Sequence, residues 1–206
     1  VSKSERPTKS MSKIWFSADS HFGHRNIINY CHRPYRNIEE MDRDLIENWN
    51  MVVEESDEVY YLGDFALDFK RVRQVAPLLK GKIHLVAGNH DLCHSSNQGS
   101  GSYHRHYVAA GFVDICESTS LEIAGEEVLL CHLPYFDPLD PDQRLPEHKP
   151  DDRGNWLLHG HVHARWKTSG RQINVGVDVW DFFPVSLEVI AALIKSAQAQ
   201  NEMGVE

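Results

Sequence analysis

Three observations predict an α/β fold built on a mostly parallel sheet. Short apolar runs at residues 13–18, 58–62 and 82–87 alternate with helix-period segments at 38–53 and 69–80. That β-α-β-α-β order is the one a parallel sheet with covered faces requires. Each apolar run also ends on a polar step, at Asp19, Gly63-Asp64 and Gly88-Asn89. Strand ends are where open α/β sheets carry their sites.

Taken in order, Lys13 to Ala18 reads as a buried strand ending at Asp19. Over 38–53, Ile38, Met41, Leu45, Trp49, Val52 and Val53 recur at spacings of 3 and 4 and share one helix face. Asn37 and Glu40 supply a capping box at its start. Glu58 to Leu62 is a second strand. Phe69 to Lys80 reads as a helix whose last turn Pro77 weakens, and Lys82 to Ala87 is a third strand. Residues 92–106, with Gly99, Gly101 and several serines, read as a flexible loop, either a lid over the site or an ordinary solvent loop. Leu121 to Cys131 reads as a hairpin turning at Gly125. Residues 134–154 hold five of the nine prolines, so they read as a long loop over a site. Asn155 to His159, Arg171 to Val175 and Val177 to Trp180 are short strands. Ser186 caps a last helix with Leu187, Ile190, Ala191 and Ile194 on one face, and the tail from Gln198 is expected to fray. Residues 1–10 are expected to be a disordered extension or an expression scar, with Met11 a natural start and residues 11–206 a single domain.

Composition narrows the function. Hydrophobic residues make up 41% of the chain and charged residues 25%, as in ordinary globular proteins. No apolar stretch approaches the roughly 20 residues that cross a bilayer, and no membrane-binding amphipathic helix is evident, so no membrane partner is expected. Cys31, Cys93, Cys116 and Cys131 show no C-x-x-C pairing, which suits a reduced, cytoplasmic protein. The net charge of -9 repels a polyanion and argues against broad duplex DNA binding. It does not oppose a small phosphorylated substrate, because bound divalent ions reverse the field locally. The sequence carries no signal for oligomeric state.

Five segments carry the chemistry: Asp19-Ser20-His21, Gly63-Asp64, Gly88-Asn89-His90-Asp91, His132, and Gly160-His161-Val162-His163. Taken singly, Asp-x-His, Gly-Asp or a lone His is more often a turn or a packing residue. Together they offer carboxylate, amide and imidazole donors in numbers that suit two divalent ions, with manganese, iron, zinc, nickel or cobalt all compatible. Asp91 is placed to orient the His90 imidazole.

The ordered set resembles the calcineurin-like metallophosphoesterase family, with its pattern D-x-H, G-D, G-N-H-[DE], H, G-H-x-H. All five blocks are present and span most of the chain. Text around Asp19 to Asn26 and Asn174 to Trp180 looks like a small bacterial or phage-type branch. The resemblance implies two mixed β-sheets packed as a sandwich and flanked by helices. It implies that Asp19, His21 and His163 hold one metal, that Asn89, His132 and His161 hold the other, and that Asp64 bridges them. It further implies a phosphoesterase acting on monoesters or diesters, such as nucleotides, by metal-activated water. One departure is visible: many members carry G-D-x-x-[DN], whereas here the next acid, Asp68, falls one residue later.

His90 is the candidate proton donor to the leaving group, with Asp91 as its partner. Arg25 and His24 are candidate substrate contacts. His159 is assigned to packing, and His104, Arg105 and His106 to the lid. His32, His84, His94 and His148 belong to no motif and are read as structural or surface residues. A non-catalytic metal-binding scaffold is the competing reading, but such scaffolds lose ligands and none of the seven is missing here.

Overall fold

Strand β1 (Ile14–Ser17) pairs in parallel with β2 (Glu58–Tyr61), β2 with β3 (Lys82–Val86), and β3 with β4 (Asp114–Cys116). In this computed structural model, which describes residues 12–136 and 144–203, a short strand at Val185–Ser186 closes the other edge antiparallel to β1. The second sheet contains β5 (Ser118–Ile123), β6 (Glu126–Cys131), β7 (Trp156–His159), β8 (Thr168–Ser169) and β9 (Gln172–Asn174), in the order β5-β6-β7-β9-β8. Here β6, β7 and β9 run parallel while β5 and β8 are antiparallel. Both sheets are therefore mixed, as expected. The readings at residues 1–10, at Met11 and for the middle of the proline-rich stretch fall outside the described residues.

The period-2 alternation of the strands builds two cores. Val59, Tyr61, Ile83 and Leu85 face helices α1 (Arg25–Tyr30), α2 (Ile38–Val52), α3 (Phe69–Val75) and α4 (Ser100–Ala110). On the opposite face Phe16, Leu62 and Val86 meet Val128, Leu130, Leu158 and Ile173 of the second sheet. Ile190 and Ile194 of α5 (Leu187–Met203) join that inter-sheet core. Each such fully buried side chain contributes about 1.5–3 kcal/mol relative to exposure. No described helix is long and apolar enough to cross a membrane.

Local chemistry explains most element ends. Asn37 Oδ1 accepts from the Glu40 N–H at 2.8 Å, which starts α2. Glu40 does not complete the reciprocal box; it accepts instead from the Arg36 N–H and guanidinium. Asp68 caps α3 by accepting from the Arg71 N–H at 2.8 Å, which gives the displaced acid a structural post. The α-helix predicted to run to Lys80 stops at Val75 and tightens into a 3-10 turn, Ala76–Leu78, around Pro77.

Three expectations are corrected. The loop assigned to 92–106 is a series of turns followed by α4. Gly99 enters that helix at φ 79°, and Tyr107 and Ala110 anchor it in the core. Serine and glycine mask a helix that tertiary burial of one face stabilises. It is no lid: Asn97 Nδ2 ties the turn to the carbonyls of Asn89 and Asp91. His104 bonds the Cys93 carbonyl and His106 packs on Phe69, and none of residues 104–106 lines the cavity described below. Second, Val177–Val179 forms a 3-10 turn rather than a strand, because Val177 N–H is taken by the Ala18 carbonyl and Asp178 is drawn inward. Third, the last helix does not fray from Gln198. It continues to Met203, and Gln198 Nε2 donates to Glu126 Oε1.

Candidate metal centre

All five motif blocks directly follow the carboxyl ends of parallel strands: β1, β2 and β3 in one sheet, β6 and β7 in the other. Asp19, His21, Asp64, His161 and His163 leave those ends with φ of 58°, 51°, 57°, 67° and 49°. Left-handed backbone is uncommon for residues with a Cβ and persists where the surroundings over-determine it. Here they do. Asp19 N–H donates to the Gly63 carbonyl and His21 N–H to the Asp64 carbonyl, both at 3.0 Å. His161 N–H donates to Asp19 Oδ2 at 2.9 Å.

Asp91 secures the turn that carries Asp64. Its Oδ2 accepts from the Asp64 N–H at 2.8 Å and the Gly88 N–H at 2.9 Å, and its Oδ1 from the Phe65 N–H at 3.1 Å. The expected partnership with His90 is thus replaced by three main-chain amides. Gly63 and Gly88 let the two turns touch. A Cβ on Gly63 would strike the Gly88 backbone, and one on Gly88 would strike Asp64.

The seven predicted ligands converge. Donor atoms of Asp19, His21 and His163 lie within 4.8 Å of one another, as do those of Asp19, Asp64 and His132. Asp64 Oδ2 stands 3.4 Å from His21 Nε2 and 3.4 Å from His132 Nε2. His161 Nδ1 lies 3.0 Å from Asn89 Oδ1. His132 Nδ1 is 2.7 Å from the Leu62 carbonyl, which can only accept, so Nδ1 carries a proton and Nε2 faces the carboxylate.

These donors fit cations. Asp19 and Asp64 are buried, and among the described residues neither pairs its carboxylate with Lys or Arg. His21 Nε2 and His132 Nε2 are buried without a hydrogen-bond partner, a state that normally needs an explanation such as an ion. Burial pushes the Asp19 carboxyl up to about 6, against the pull of His163 and His132. Burial would also raise Asp64, but His132, His21 and His90 hold it well below the usual carboxylate range. Burial depresses His132, yet the Asp64 charge and hydrogen bonding lift it to about 9. The Asp64 carboxylate, held low among imidazoles, thus favours positive charge in the pocket.

A cavity of about 580 Å³ opens over this cluster. His21, His90, His161 and His163 line it together with His24, Ile27, Tyr30, Arg144 and Arg165. The His90 ring lies 5.4 Å from that of His21. His24 therefore reaches the cavity, whereas Arg25 is exposed at the start of α1 and does not line it. His159 packs on Trp166 at 4.7 Å, its Nδ1 on the Gly160 carbonyl.

Sequence reading overlooked Arg33 and Asp178. Arg33 is buried. It holds Asp178 and donates to the carbonyls of Asp19 at 2.6 Å and Ser20 at 2.8 Å. Asp178 Oδ2 lies 3.4 Å from His163 Nδ1. The pair joins the first motif block to the last, orienting His163 as an outer carboxylate does for a metal-binding imidazole. Arg144 and Arg165 were also missed, although Arg165 lies only two residues beyond His163.

Comparison with known proteins identifies the family and supports the fold. The model of the calcineurin-like phosphoesterase superfamily domain matches residues 13–180. An uncharacterized protein of Methanocaldococcus jannaschii is 35% identical over 199 residues, covering 92% of this chain and 95% of that protein. The gene 66 protein of Mycobacterium phage D29 is 32% identical over 188 residues, covering 85% of this chain and 93% of that protein. A solved structure from Aquifex aeolicus, described as a protein of unknown function, superposes with a TM-score of 0.66 at 27% identity, covering 88% of this chain and 99% of that one.

Proposed function

The chain belongs to the calcineurin-like phosphoesterase superfamily, and on that footing we propose that it hydrolyses monoesters or diesters of a small phosphorylated substrate, such as a nucleotide, at a centre of two divalent ions. One observation carries the reading: a single carboxylate oxygen, Asp64 Oδ2, lies at the same 3.4 Å from imidazole nitrogens of both ligand groups. Asp19, His21 and His163 would hold one ion, Asn89, His132 and His161 the other, and Asp64 both. Manganese, iron, zinc, nickel and cobalt all suit such mixed nitrogen and oxygen donors. When bound, the ions supply Lewis acidity and an activated water for in-line displacement at phosphorus.

The chain's own residues do the remaining work. His90, lining the cavity beside His21, delivers a proton from its ring to the departing oxygen. Its main-chain N–H donates to Asp64 Oδ1 at 2.9 Å, which ties its turn to the bridging carboxylate. Ile27, Tyr30 and Val162 give the leaving group an apolar wall. Arg144 and Arg165 line the same cavity, where their positive charge favours a phosphoryl group.

The test is turnover of p-nitrophenyl phosphate and bis-p-nitrophenyl phosphate by metal-stripped protein, with each ion restored in turn. Ion-dependent turnover is expected, and Asp64→Ala should lose both bound metal and activity. Activity in Asp64→Ala at full metal content would refute the bridging role. Bound ions without turnover of any ester in a mono- and diester panel would favour the non-catalytic scaffold.

A further inference from the structure

His94, Glu117 and His148 meet at one point, and none of the three lines the cavity. Their donor atoms lie within 4.8 Å of one another, and the two imidazole centroids are 4.9 Å apart. They arrive from three segments: the turn after β3, the residue after β4, and the 3-10 helix Pro146–His148. From these positions we propose a separate binding site for one zinc-class divalent ion, held by the two imidazoles and the carboxylate.

His94 and Glu117 are each oriented from outside the trio. Ser96 engages His94 Nδ1 through its hydroxyl at 2.8 Å and its N–H at 3.1 Å. Ser96 N–H donates to Nδ1, so in the neutral ring Nε2 carries the proton; an ion taken at Nε2 displaces that proton, and Nδ1 then takes one up and donates it to the Ser96 hydroxyl. Glu117 accepts from Ser95 N–H at 2.7 Å and Ser95 Oγ at 2.8 Å. His148 Nε2 lies 3.7 Å from the exposed Glu147 carboxylate, too far for a hydrogen bond to hold the ring. Among the described residues, no hydrogen bond joins any two of the three. Donors held by a surrounding shell and aimed at a shared point are how metal ligands are arranged, since outer partners fix ring and carboxylate orientation.

The chemistry selects the ion. Two imidazoles and one carboxylate form a three-ligand set used by zinc, with a fourth position left for water. Imidazole suits zinc, nickel, copper and cobalt, whereas magnesium and calcium prefer all-oxygen shells. Burial lowers the His94 basicity against the pull of Glu117, with His148 pushing the same way as burial, which favours the neutral form that a metal ligand needs.

The site has a structural consequence. His94 N–H bonds the Asp91 carbonyl at 2.9 Å, so an ion there clamps the turn bearing Asn89 and His90 to the end of β4. The site stands without the reading of the main centre.

Equilibrium dialysis against zinc, read by elemental mass spectrometry, tests it. His148→Ala and Glu117→Gln, both at half-buried positions, should each bind one zinc fewer per chain than wild type. Asp64→Ala should keep the ion that His148→Ala loses, and magnesium content should not differ between wild type and His148→Ala. Equal zinc content in wild type and both variants, each with a native circular dichroism spectrum, would overturn the site. An unchanged metal content in Asp64→Ala would instead overturn the two-ion centre, so the two failures are told apart.

Discussion

Arg33 grips Asp178 through two parallel hydrogen bonds, Nε to Oδ1 at 2.8 Å and Nη2 to Oδ2 at 2.9 Å. Both side chains are buried, and burial is outweighed: Asp178 raises Arg33, while the His163 hydrogen bond and then Arg33 hold Asp178 below the usual carboxylate range. Removing one partner leaves the other charge unpaired, which typically costs about 3–5 kcal/mol. Arg33→Met should therefore lower thermal stability and also loosen His163. Outer-shell loss of this kind weakens metal binding about 10–100-fold. Chelator competition checks it: an unchanged metal affinity in a folded Arg33→Met protein would reduce the pair to a structural clasp.

His90→Ala should keep its bound metal, because the ring is not among the seven ligands. Loss of a proton donor slows turnover by about 10²–10⁴-fold, and the loss should be greatest for alkyl esters, whose leaving oxygen most needs the proton. Comparison of an alkyl phosphate with p-nitrophenyl phosphate reads this directly. An equal loss on both would assign His90 to substrate positioning instead.

Gly88→Ala places a methyl group against Asp64 backbone and carboxylate atoms. The turns at 63–64 and 88–91 are locked together by Asp91, so neither yields cheaply. Overpacking of this sort costs about 1–3 kcal/mol. A lowered melting temperature together with weakened metal binding is expected. Gly99→Ala would make a poor control, since strain at φ 79° adds a second effect there.

His84 should tie stability to pH from outside the site. Its Nε2 lies 2.9 Å from Glu58 and its Nδ1 3.0 Å from Asp114. Burial lowers its basicity, but the hydrogen bonds and charges of Glu58 and Asp114 win, so it is raised above 6.5. Its contribution is therefore complete below 6.5 and lost as pH rises through the raised folded value. Glu58 is lowered below 4.5, first by Lys82 and then by His84, so its share is lost as pH falls through that lowered value. His84→Gln should cost up to about 1 kcal/mol, a discounted figure for a partly exposed network. The difference in melting temperature from wild type should be widest between 4.5 and 6.5 and narrow in alkali. A difference that grows above neutrality would contradict the assignment.

The early strands and α2 were legible because their periods are local. Ile38, Met41, Leu45 and Trp49 mark a helix face before any partner is known, and Asn37 caps it as read. Helix α4 was not legible. Its Ser-Gly-rich start has no propensity to advertise, and it holds because Tyr107 and Ala110 find a core built by other segments. The 3-10 turn at Val177–Val179 was misread for a related reason. A run of valines looks like a strand until Arg33, far away in sequence, draws Asp178 inward.

By itself the sequence determined which residue types could bind cations and that they follow strand ends, because spacing, glycine and donor chemistry are local properties. Only the tertiary structure decided that Asp64 Oδ2 stands between His21 and His132, that Asp91 serves main-chain amides rather than His90, and that Arg33 and Asp178 belong to the site. Those relations depend on sheet register and on the packing of two sheets, which bring together residues separated by up to 145 positions. Such contacts leave no periodic trace along the chain.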